Sequence, residues 1–409
     1  FSGADLGEWQ TKTHVSPHHP MGLLHTDLMR FGGLAKVADW DYEMLADRVQ
    51  NDQRSFGSSM MGYMIKAAIL DRGIPAYVDT PARELLTDDD GAVIGVRAER
   101  EGRDFFIRAR QGVVMGIGGY DHNVPMATRF ENTYEWGSAC PPGVEGDNIV
   151  LGGEIGAAVA NVPPNNLAMF FGYNIPGEEH FGVPLYRTAF ECGIPHSVVV
   201  NRAGERFCDE SFYKDANPRM REWNGARQDL PNTPSFMVFD ANYRERYPVG
   251  SFVPGQEFPA GFVEEGATPR ELAEKLGIDP EGFERTLQHF NAHAEKGEDP
   301  DFGRGQYLWA NRLCGDPSYA NPNLGPVNKA PYYGLRLTPI GVGINSHGLL
   351  FDREARAVHV RGHAIPGFYV VGNSAALLDI GGGYQSGMSN LRAITWGYIA
   401  GRHAAARTA

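Results

Sequence analysis

The sequence predicts an α/β fold, because two short apolar strands end in glycine-rich turns and a region of different composition separates them. The first strand is expected at residues 113–115 and the second at residues 368–371. Near residues 165–175 the sequence becomes rich in proline, asparagine and aromatic residues. This order is typical of one sheet-containing domain interrupted by an inserted α+β domain.

The C-terminal run predicts a strand, a glycine loop and a helix. Residues 368–371 lie between two glycines, which suits a buried strand. Three consecutive glycines follow at residues 381–383, and helix-compatible residues extend from Ser389 to a basic last turn. A helix N-terminus carries unpaired N–H groups and a partial positive charge, and glycine lets a flat or anionic ligand approach the backbone. The pattern therefore favours a large electron-rich cofactor, although such turns also occur as plain topology.

The remaining elements divide the chain into four predicted segments. Residues 1–50 contain prolines, paired glycines and scattered histidines, and we expect an irregular, solvated entry segment without a metal site. Residues 50–165 should hold a helix, two hairpins and the strand at residues 113–115. Residues 166–337 form the predicted inserted substrate domain, which includes two helices after a Thr-Pro-Arg-Glu capping pattern. Residues 338–409 return to the first domain.

Composition excludes several classes of partner. The chain has 409 residues, a formal net charge of −13 and a pI near 5.5, which argue against nucleic acid or an anionic membrane as the main partner. No apolar run reaches the roughly 18 residues of a membrane span. The four cysteines show no zinc spacing and are too sparse for a disulfide scaffold. A cytoplasmic protein is expected.

Two stretches resemble a known family. The C-terminal run IPGFYVVGNSAALLDIGGG resembles the flavin-binding signature of the fumarate reductase and succinate dehydrogenase flavoprotein superfamily. Residues 194–213 resemble the PGSIVVNxxGkRFxNExxxY segment of the 3-ketosteroid dehydrogenases within it. The matching positions are Pro195, Val200, Asn201, Gly204, Arg206, Phe207, Glu210 and Tyr213. The resemblance implies FAD as cofactor and a split, Rossmann-like FAD-binding domain.

The resemblance also implies which residues contact FAD. In the family, the backbone after a Thr-Pro pair holds the adenine, and glycines after the buried strand approach the pyrophosphate. The side chain of Arg83 has a second interpretation as a solvated strand residue. The predicted cofactor-binding residues are Ala82, Arg83, Gly118, Gly119, Gly372, Asn373, Ser389, Asn390 and Leu391.

The implied reaction removes two hydrogens from carbons beside a ketone in a bulky apolar substrate, such as a 3-ketosteroid, at the Δ1 or Δ4 position. By resemblance, Tyr213 takes the proton, Tyr384 and the backbone N–H near Gly387 bind the keto oxygen, and FAD accepts the hydride. A tyrosine with a pKa of about 10 can take a proton only if its pKa is lowered or its proton is relayed. A plain core aromatic is the competing interpretation of Tyr213.

Two alternatives remain open at this stage. A fumarate-reductase-like enoate reductase needs cations around its pocket, and Lys214, Arg219 and His347 are the nearby candidates. The second alternative is a fragment or subunit of a split flavoprotein, because the chain contains no recognisable strand, GxGxxG turn and helix for the ADP half of FAD. That segment was then removed, is disordered or arrives on a second chain. The sequence does not identify the electron acceptor.

Overall fold

The computed structural model describes residues 1–18, 22–162, 169–380 and 387–407. The described α-helices are α1 (His25–Arg30), α2 (Tyr42–Gln50), α3 (Phe56–Ile65), α4 (Val124–Glu131), α5 (Asp147–Glu154), α6 (Tyr213–Met220), α7 (Ala241–Arg244), α8 (Pro269–Leu276), α9 (Pro280–Ala294), α10 (Leu308–Leu313) and α11 (Met388–Ala406). The described strands are β1 (Ala82–Thr87), β2 (Val93–Arg100), β3 (Arg103–Arg108), β4 (Val113–Met115), β5 (Gly137–Ser138), β6 (Val159–Asn161), β7 (Met169–His180), β8 (Val183–Thr188), β9 (Ser197–Asn201), β10 (Ser235–Asp240), β11 (Glu264–Gly266), β12 (Tyr332–Gly341), β13 (His347–Leu349), β14 (Arg356–Val358) and β15 (Ala364–Val370). Short 3-10 helices cover Gly3–Trp9, Leu34–Asp39, Phe190–Gly193 and Gly372–Ser374, and a π-helix covers Lys66–Leu70.

The two predicted apolar strands are neighbours in a three-stranded sheet of order β14-β15-β4. Strand β15 pairs in parallel with β4, with Phe368 opposite Val113 and Val370 opposite Met115. Because the strands are parallel, their carboxyl ends meet at one edge, where α/β sheets bind ligands. Helix α11 packs back on β15 through Ala400. The predicted strand and helix are therefore confirmed, whereas the three glycines at residues 381–383 lie outside the described residues.

Strand β4 is exposed in a way that the sequence did not predict. Its run of Val and Met is typical of a central strand, yet among the described residues it ends the β14-β15-β4 order, and Val114 is 45% exposed. Helix α3 is likewise formed as predicted but buries only Gly62, while Tyr63 is 60% exposed. In the described part of the chain, both elements therefore bury fewer side chains than their apolar composition suggests.

The predicted hairpins form the antiparallel sheet β1-β2-β3. Leu85 lies opposite Val96, and Ala98 lies opposite Phe105. Leu85 also packs in the core cluster that contains Met115 and Phe368. The hairpin sheet is thereby packed on the parallel pair through shared apolar side chains.

The larger sheet has the order β8-β7-β12-β10-β9, with β5 and β11 also paired to β12. Alternate residues of β10 face opposite sides, so Phe236 and Val238 pack in a cluster with α8 and α9, whereas Met237 and Phe239 face the main core. The side chain of Thr268 caps α8, as the capping pattern predicts, and that of Asp279 caps α9. Strand β12 runs unbroken past residue 337, and the domain boundaries stay a prediction.

The entry segment is ordered into helices, so the expectation of an irregular, solvated stretch over residues 1–50 is wrong. Helices α1 and α2 flank the 3-10 helix Leu34–Asp39. A small core holds them together, made of Leu23, Leu28, Trp40 and Leu45. Burial of these apolar side chains stabilises the segment. The prolines, glycines and histidines between them had suggested an irregular chain.

Candidate active site

The carboxyl ends of β4 and β15 are joined by one serine hydroxyl. Ser374 is fully buried, and its Oγ accepts a hydrogen bond from the N–H of Ile117 at 2.9 Å and donates one to the carbonyl of Gly118 at 2.9 Å. Ser374 follows the predicted cofactor residues Gly372 and Asn373 in the chain. The two predicted glycine turns therefore form one continuous site.

The turn after β4 leaves no room for larger residues. Gly118 has a φ of +82°, which favours glycine. A Cβ on Gly119 would lie 1.8 Å from Oδ1 of Asn345, the atom that accepts a hydrogen bond from the N–H of Tyr120. Glycine is therefore required at these two positions by backbone conformation at Gly118 and by packing against Asn345 at Gly119.

The N-terminus of α11 meets the same turn. Oγ of Ser389 donates a hydrogen bond of 3.0 Å to Oδ1 of Asn373, and Nδ2 of Asn373 donates to the carbonyl of Gly343. Gly387, with a φ of 89°, is the N-cap residue of this helix. The first N–H groups of α11 and their partial positive charge thus lie beside the glycine turn.

A buried arginine forms hydrogen bonds with the segment that follows β15. Arg392 is 2% exposed, and its Nε donates to both oxygens of Asp379 at 2.7 and 2.8 Å. Its two Nη atoms donate to the carbonyls of Gly372 and Ala376. The sequence analysis did not identify Arg392 or Ser374 as site residues, because no local sequence pattern indicates their hydrogen-bond partners.

Tyr213, the predicted proton acceptor, is the first residue of α6. Its ring stacks on Phe170 with a centroid distance of 5.2 Å and meets Trp309 edge-on at 5.1 Å. It also belongs to a hydrophobic cluster that contains Ile380 and Met388, which lie on either side of residues 381–387 in the sequence. Tyr384 lies outside the described residues, so its predicted role stays a prediction.

Tyr213 lines a cavity of about 1200 Å³. One wall comes from the inserted region, including Phe190, Phe212 and Trp309. The opposite wall comes from the entry segment, whose lining residues are Leu23, Leu28, Leu34, Val37 and Trp40. The cavity is therefore mainly apolar, and the entry segment completes it.

The motif around residues 206–210 holds a buried charge network. Arg206 donates to both oxygens of Glu210 at 2.7 and 2.8 Å and to both oxygens of Asp299 at 3.0 Å. Arg304 reaches Glu210 at 3.4 Å. Although burial opposes it, the hydrogen bonds and charge of Arg206 lower the pKa of Asp299 to about 2. The network lies just before α6 and fixes the turn that presents Tyr213.

Other predicted cofactor residues lie apart from this site or on its rim. Arg83 pairs with Glu99 at 3.2 Å on the exposed hairpin, which accounts for its side chain. Ala82 packs against the core shared by Met115. Asn390 and Leu391 are exposed in the first turn of α11. The cofactor roles of Ala82 and Arg83 stay predictions.

The candidate cations of the reductase alternative are differently placed. Arg219 is paired with Asp215 at 3.0 Å, and the ring of His347 stacks on Phe130 with a centroid distance of 4.3 Å. Lys214 lines the cavity.

In the described part of the chain, no group of three or more His, Cys, Asp or Glu side chains is placed to hold a metal ion. None of the described helices combines the length and apolar character of a membrane span.

The fold and the paired glycine turns define a flavoprotein of the α/β class. The model of the FAD binding domain family matches residues 4–391, and the chain belongs to this family, within the fumarate reductase and succinate dehydrogenase flavoprotein superfamily. Its cofactor is FAD. The site fits that group, because hydrogen bonds through Ser374 and Asn373 bring the glycine-bearing ends of β4 and β15 and the N-terminus of α11 together.

Among its relatives, a 3-oxosteroid 1-dehydrogenase of Mycobacterium tuberculosis is 31% identical over 405 residues, which are 95% of this chain and 68% of that protein. A 4-oxocyclohexanecarboxylate 2-dehydrogenase of Sinomonas cyclohexanicum is 34% identical over 355 residues, 85% of this chain and 60% of that protein. The crystal structure of 3-ketosteroid delta1-dehydrogenase from Sterolibacterium denitrificans, in complex with 1,4-androstadiene-3,17-dione, matches with a TM-score of 0.85 and 26% identity over 100% of this chain and 76% of that one. The chain thus spans 60% and 68% of the length of these two curated relatives.

Proposed function

We propose that the protein is an FAD-dependent dehydrogenase that introduces a C=C bond beside the ketone of a bulky apolar substrate, such as a 3-ketosteroid. The observation that supports the proposal is the position of Tyr213. It lines the apolar cavity and packs in the same hydrophobic cluster as Ile380 and Met388. The relatives named for 3-oxosteroids and 4-oxocyclohexanecarboxylate act on cyclic ketones, which supports this reaction.

The cavity suits a large ketone. Ligand pockets commonly have volumes of about 300 to 1,000 Å³, and this cavity, at about 1200 Å³, exceeds that range and has room for a large ring system. Its aromatic and aliphatic walls match an apolar ring system. The reductase alternative is weaker, because two of its three candidate cations do not line the cavity and Arg219 is already paired with a carboxylate.

In the proposed reaction, the phenol oxygen of Tyr213 accepts a proton from the carbon next to the ketone. It does so either as the phenolate or by passing its own proton to a neighbouring acceptor as the new proton arrives. Phe170 and Trp309 hold its ring between them and so fix the hydroxyl relative to the substrate. Tyr384 and the N–H near Gly387 are proposed to donate hydrogen bonds to the keto oxygen, which stabilises the developing negative charge. FAD, when bound, supplies the acceptor for the hydride.

The ADP half of FAD is proposed to need a further segment, either from a second chain or from another part of the same protein. The exposed edge of β4 can pair with an added strand, and the exposed apolar side chains of α3, such as Met61 and Tyr63, offer a packing surface.

The electron acceptor is a separate partner. The four cysteines are free thiols, which supports the predicted cytoplasmic location.

A substrate panel tests the proposal. The protein, supplied with FAD and a dye as electron acceptor, is assayed with saturated and 4-ene 3-ketosteroids, with 4-oxocyclohexanecarboxylate and with succinate. We expect dye reduction with ketones and none with succinate. Turnover confined to succinate would contradict the proposal.

We expect Ser374→Ala to weaken FAD retention. The change leaves the N–H of Ile117 and the carbonyl of Gly118 without their buried partner, at a cost of about 1–3 kcal/mol of unfolding free energy. Flavin absorbance after gel filtration and urea unfolding measure the two effects. Ser318→Ala, which removes a hydrogen bond to Asp316 in the inserted region, is the control. Equal flavin loss in both variants would show that Ser374 has no special role at the turn.

A further inference from the structure

Lys214 is a half-buried cation in the cavity wall that the proposed reaction does not use. It is the second residue of α6, directly after Tyr213, and both residues line the cavity. Within residues 1–18, 22–162, 169–380 and 387–407, no carboxylate pairs with its ammonium group and no atom accepts a hydrogen bond from it. An ammonium group beside apolar walls is stabilised by an anion, and this part of the chain supplies none.

The carboxylates next to Lys214 in the chain and in the cavity wall have other partners. Both oxygens of Asp215 accept a hydrogen bond of 3.0 Å from Nε of Arg219. Glu191 is the only carboxylate among the described residues that line the cavity, and it accepts a hydrogen bond of 2.6 Å from the hydroxyl of Tyr173. Neither carboxylate forms an ion pair with Lys214, so the described chain leaves its positive charge for a ligand.

The cavity lining offers one permanent cation to a ligand. Among the described lining residues, Arg187 is the only other lysine or arginine, and it is paired with Glu178 at 2.9 Å. Most of the remaining lining side chains are aromatic or aliphatic, so the charge of Lys214 is screened less there than on an open surface. One available cation suits a ligand with one carboxylate, whereas a dicarboxylate such as succinate needs a second cation.

We propose that Lys214 is a specificity-determining residue that binds a carboxylate of the substrate, and that the substrate is a cyclic keto acid with one carboxylate. The inference rests on the proposed function, since it takes the cavity as the ketone site. Consecutive residues of an α-helix point about 100° apart, so a ring whose ketone lies at Tyr213 presents another part of its skeleton to Lys214. The apolar walls contact the ring, and the ammonium group donates a charge-assisted hydrogen bond to the carboxylate.

Ligand binding to the FAD-supplied protein tests this without relying on turnover. Trp40 and Trp309 line the cavity, so quenching of tryptophan fluorescence reports occupancy. The probes are two matched pairs, a 3-ketosteroid with a side-chain carboxylate and its methyl ester, and 4-oxocyclohexanecarboxylate and its methyl ester. We expect the acid to bind about tenfold more tightly than the ester in at least one pair. This preference should shrink at high salt, because counter-ions screen the ammonium group.

Two variants separate the charge of Lys214 from its packing. Lys214→Arg keeps the charge, so the preference for the acid should persist. Lys214→Met keeps most of the apolar stem and removes the charge, so the acid should lose about tenfold in affinity while the ester binds as in the wild type. Lys275→Met, which removes an exposed cation on α8, is the control and should bind both ligands as the wild type does.

The outcomes distinguish the two proposals. Equal affinity of the wild type for acid and ester in both pairs, or equal weakening of both ligands by Lys214→Met, would overturn the role of Lys214. The proposed function would still stand if the esters reduce the dye in the presence of the wild type. Absence of dye reduction with every acid and every ester would overturn the proposed function itself.

Discussion

Tyr213→Phe is expected to lower the turnover of a 3-ketosteroid by about 10²- to 10⁴-fold, the usual contribution of a positioned general base. The variant keeps the ring that stacks on Phe170 and meets Trp309, so the cavity and the KM should change little. A selective loss of kcat distinguishes a chemical role from a packing role. Steady-state kinetics with a dye acceptor measure both constants.

Tyr307→Phe is the matched control for this experiment. Tyr307 also lines the cavity and stacks on an aromatic ring, that of Phe212, with a centroid distance of 4.0 Å. Its hydroxyl has no role in the proposed reaction, so we expect turnover near that of the wild type. If Tyr213→Phe retained nearly full turnover, the proton-acceptor role would be wrong.

Glu210→Ala is expected to destabilise the fold by about 3–5 kcal/mol, because it leaves the buried guanidinium groups of Arg206 and Arg304 without their shared carboxylate. The side chains of Arg206 and Arg304 are 3% and 0% exposed, so water cannot replace the lost partner. Urea unfolding monitored by circular dichroism measures the free energy of unfolding.

The control for this loss is Glu271→Ala, which removes an exposed i,i+4 pair with Lys275 on α8. Such pairs contribute only about 0.3–0.5 kcal/mol. Similar losses for the two glutamates would mean that the buried network does not hold the turn before α6, and the account of how Tyr213 is positioned would fail with it.

Local chemistry explains which elements could be predicted from the sequence. The apolar strand at residues 368–371, the hairpins and the capped helices α8 and α9 depend on near neighbours in the chain. The two glycine turns were also predicted, and the structure joins them through Ser374. These features needed no knowledge of the tertiary fold.

The features that sequence analysis missed depend on distant parts of the chain. Leu23, Leu28 and Trp40 form a wall of the cavity only because the entry segment packs beside α10, and no local period indicates this. The partners of Ser374 and Arg392 are likewise chosen by the fold. The expectation for residues 1–50 failed because it gave prolines and histidines more weight than the apolar positions between them.

The most direct test of the central claim is anaerobic mixing of the FAD-supplied protein with a 3-ketosteroid, followed by flavin absorbance in a stopped-flow instrument. The account predicts that the ketosteroid bleaches the flavin rapidly in the wild type and in Tyr307→Phe, and about 10²-fold or more slowly in Tyr213→Phe. Succinate should leave the absorbance unchanged. Bleaching at equal rates in all three proteins, or bleaching by succinate alone, would contradict the account.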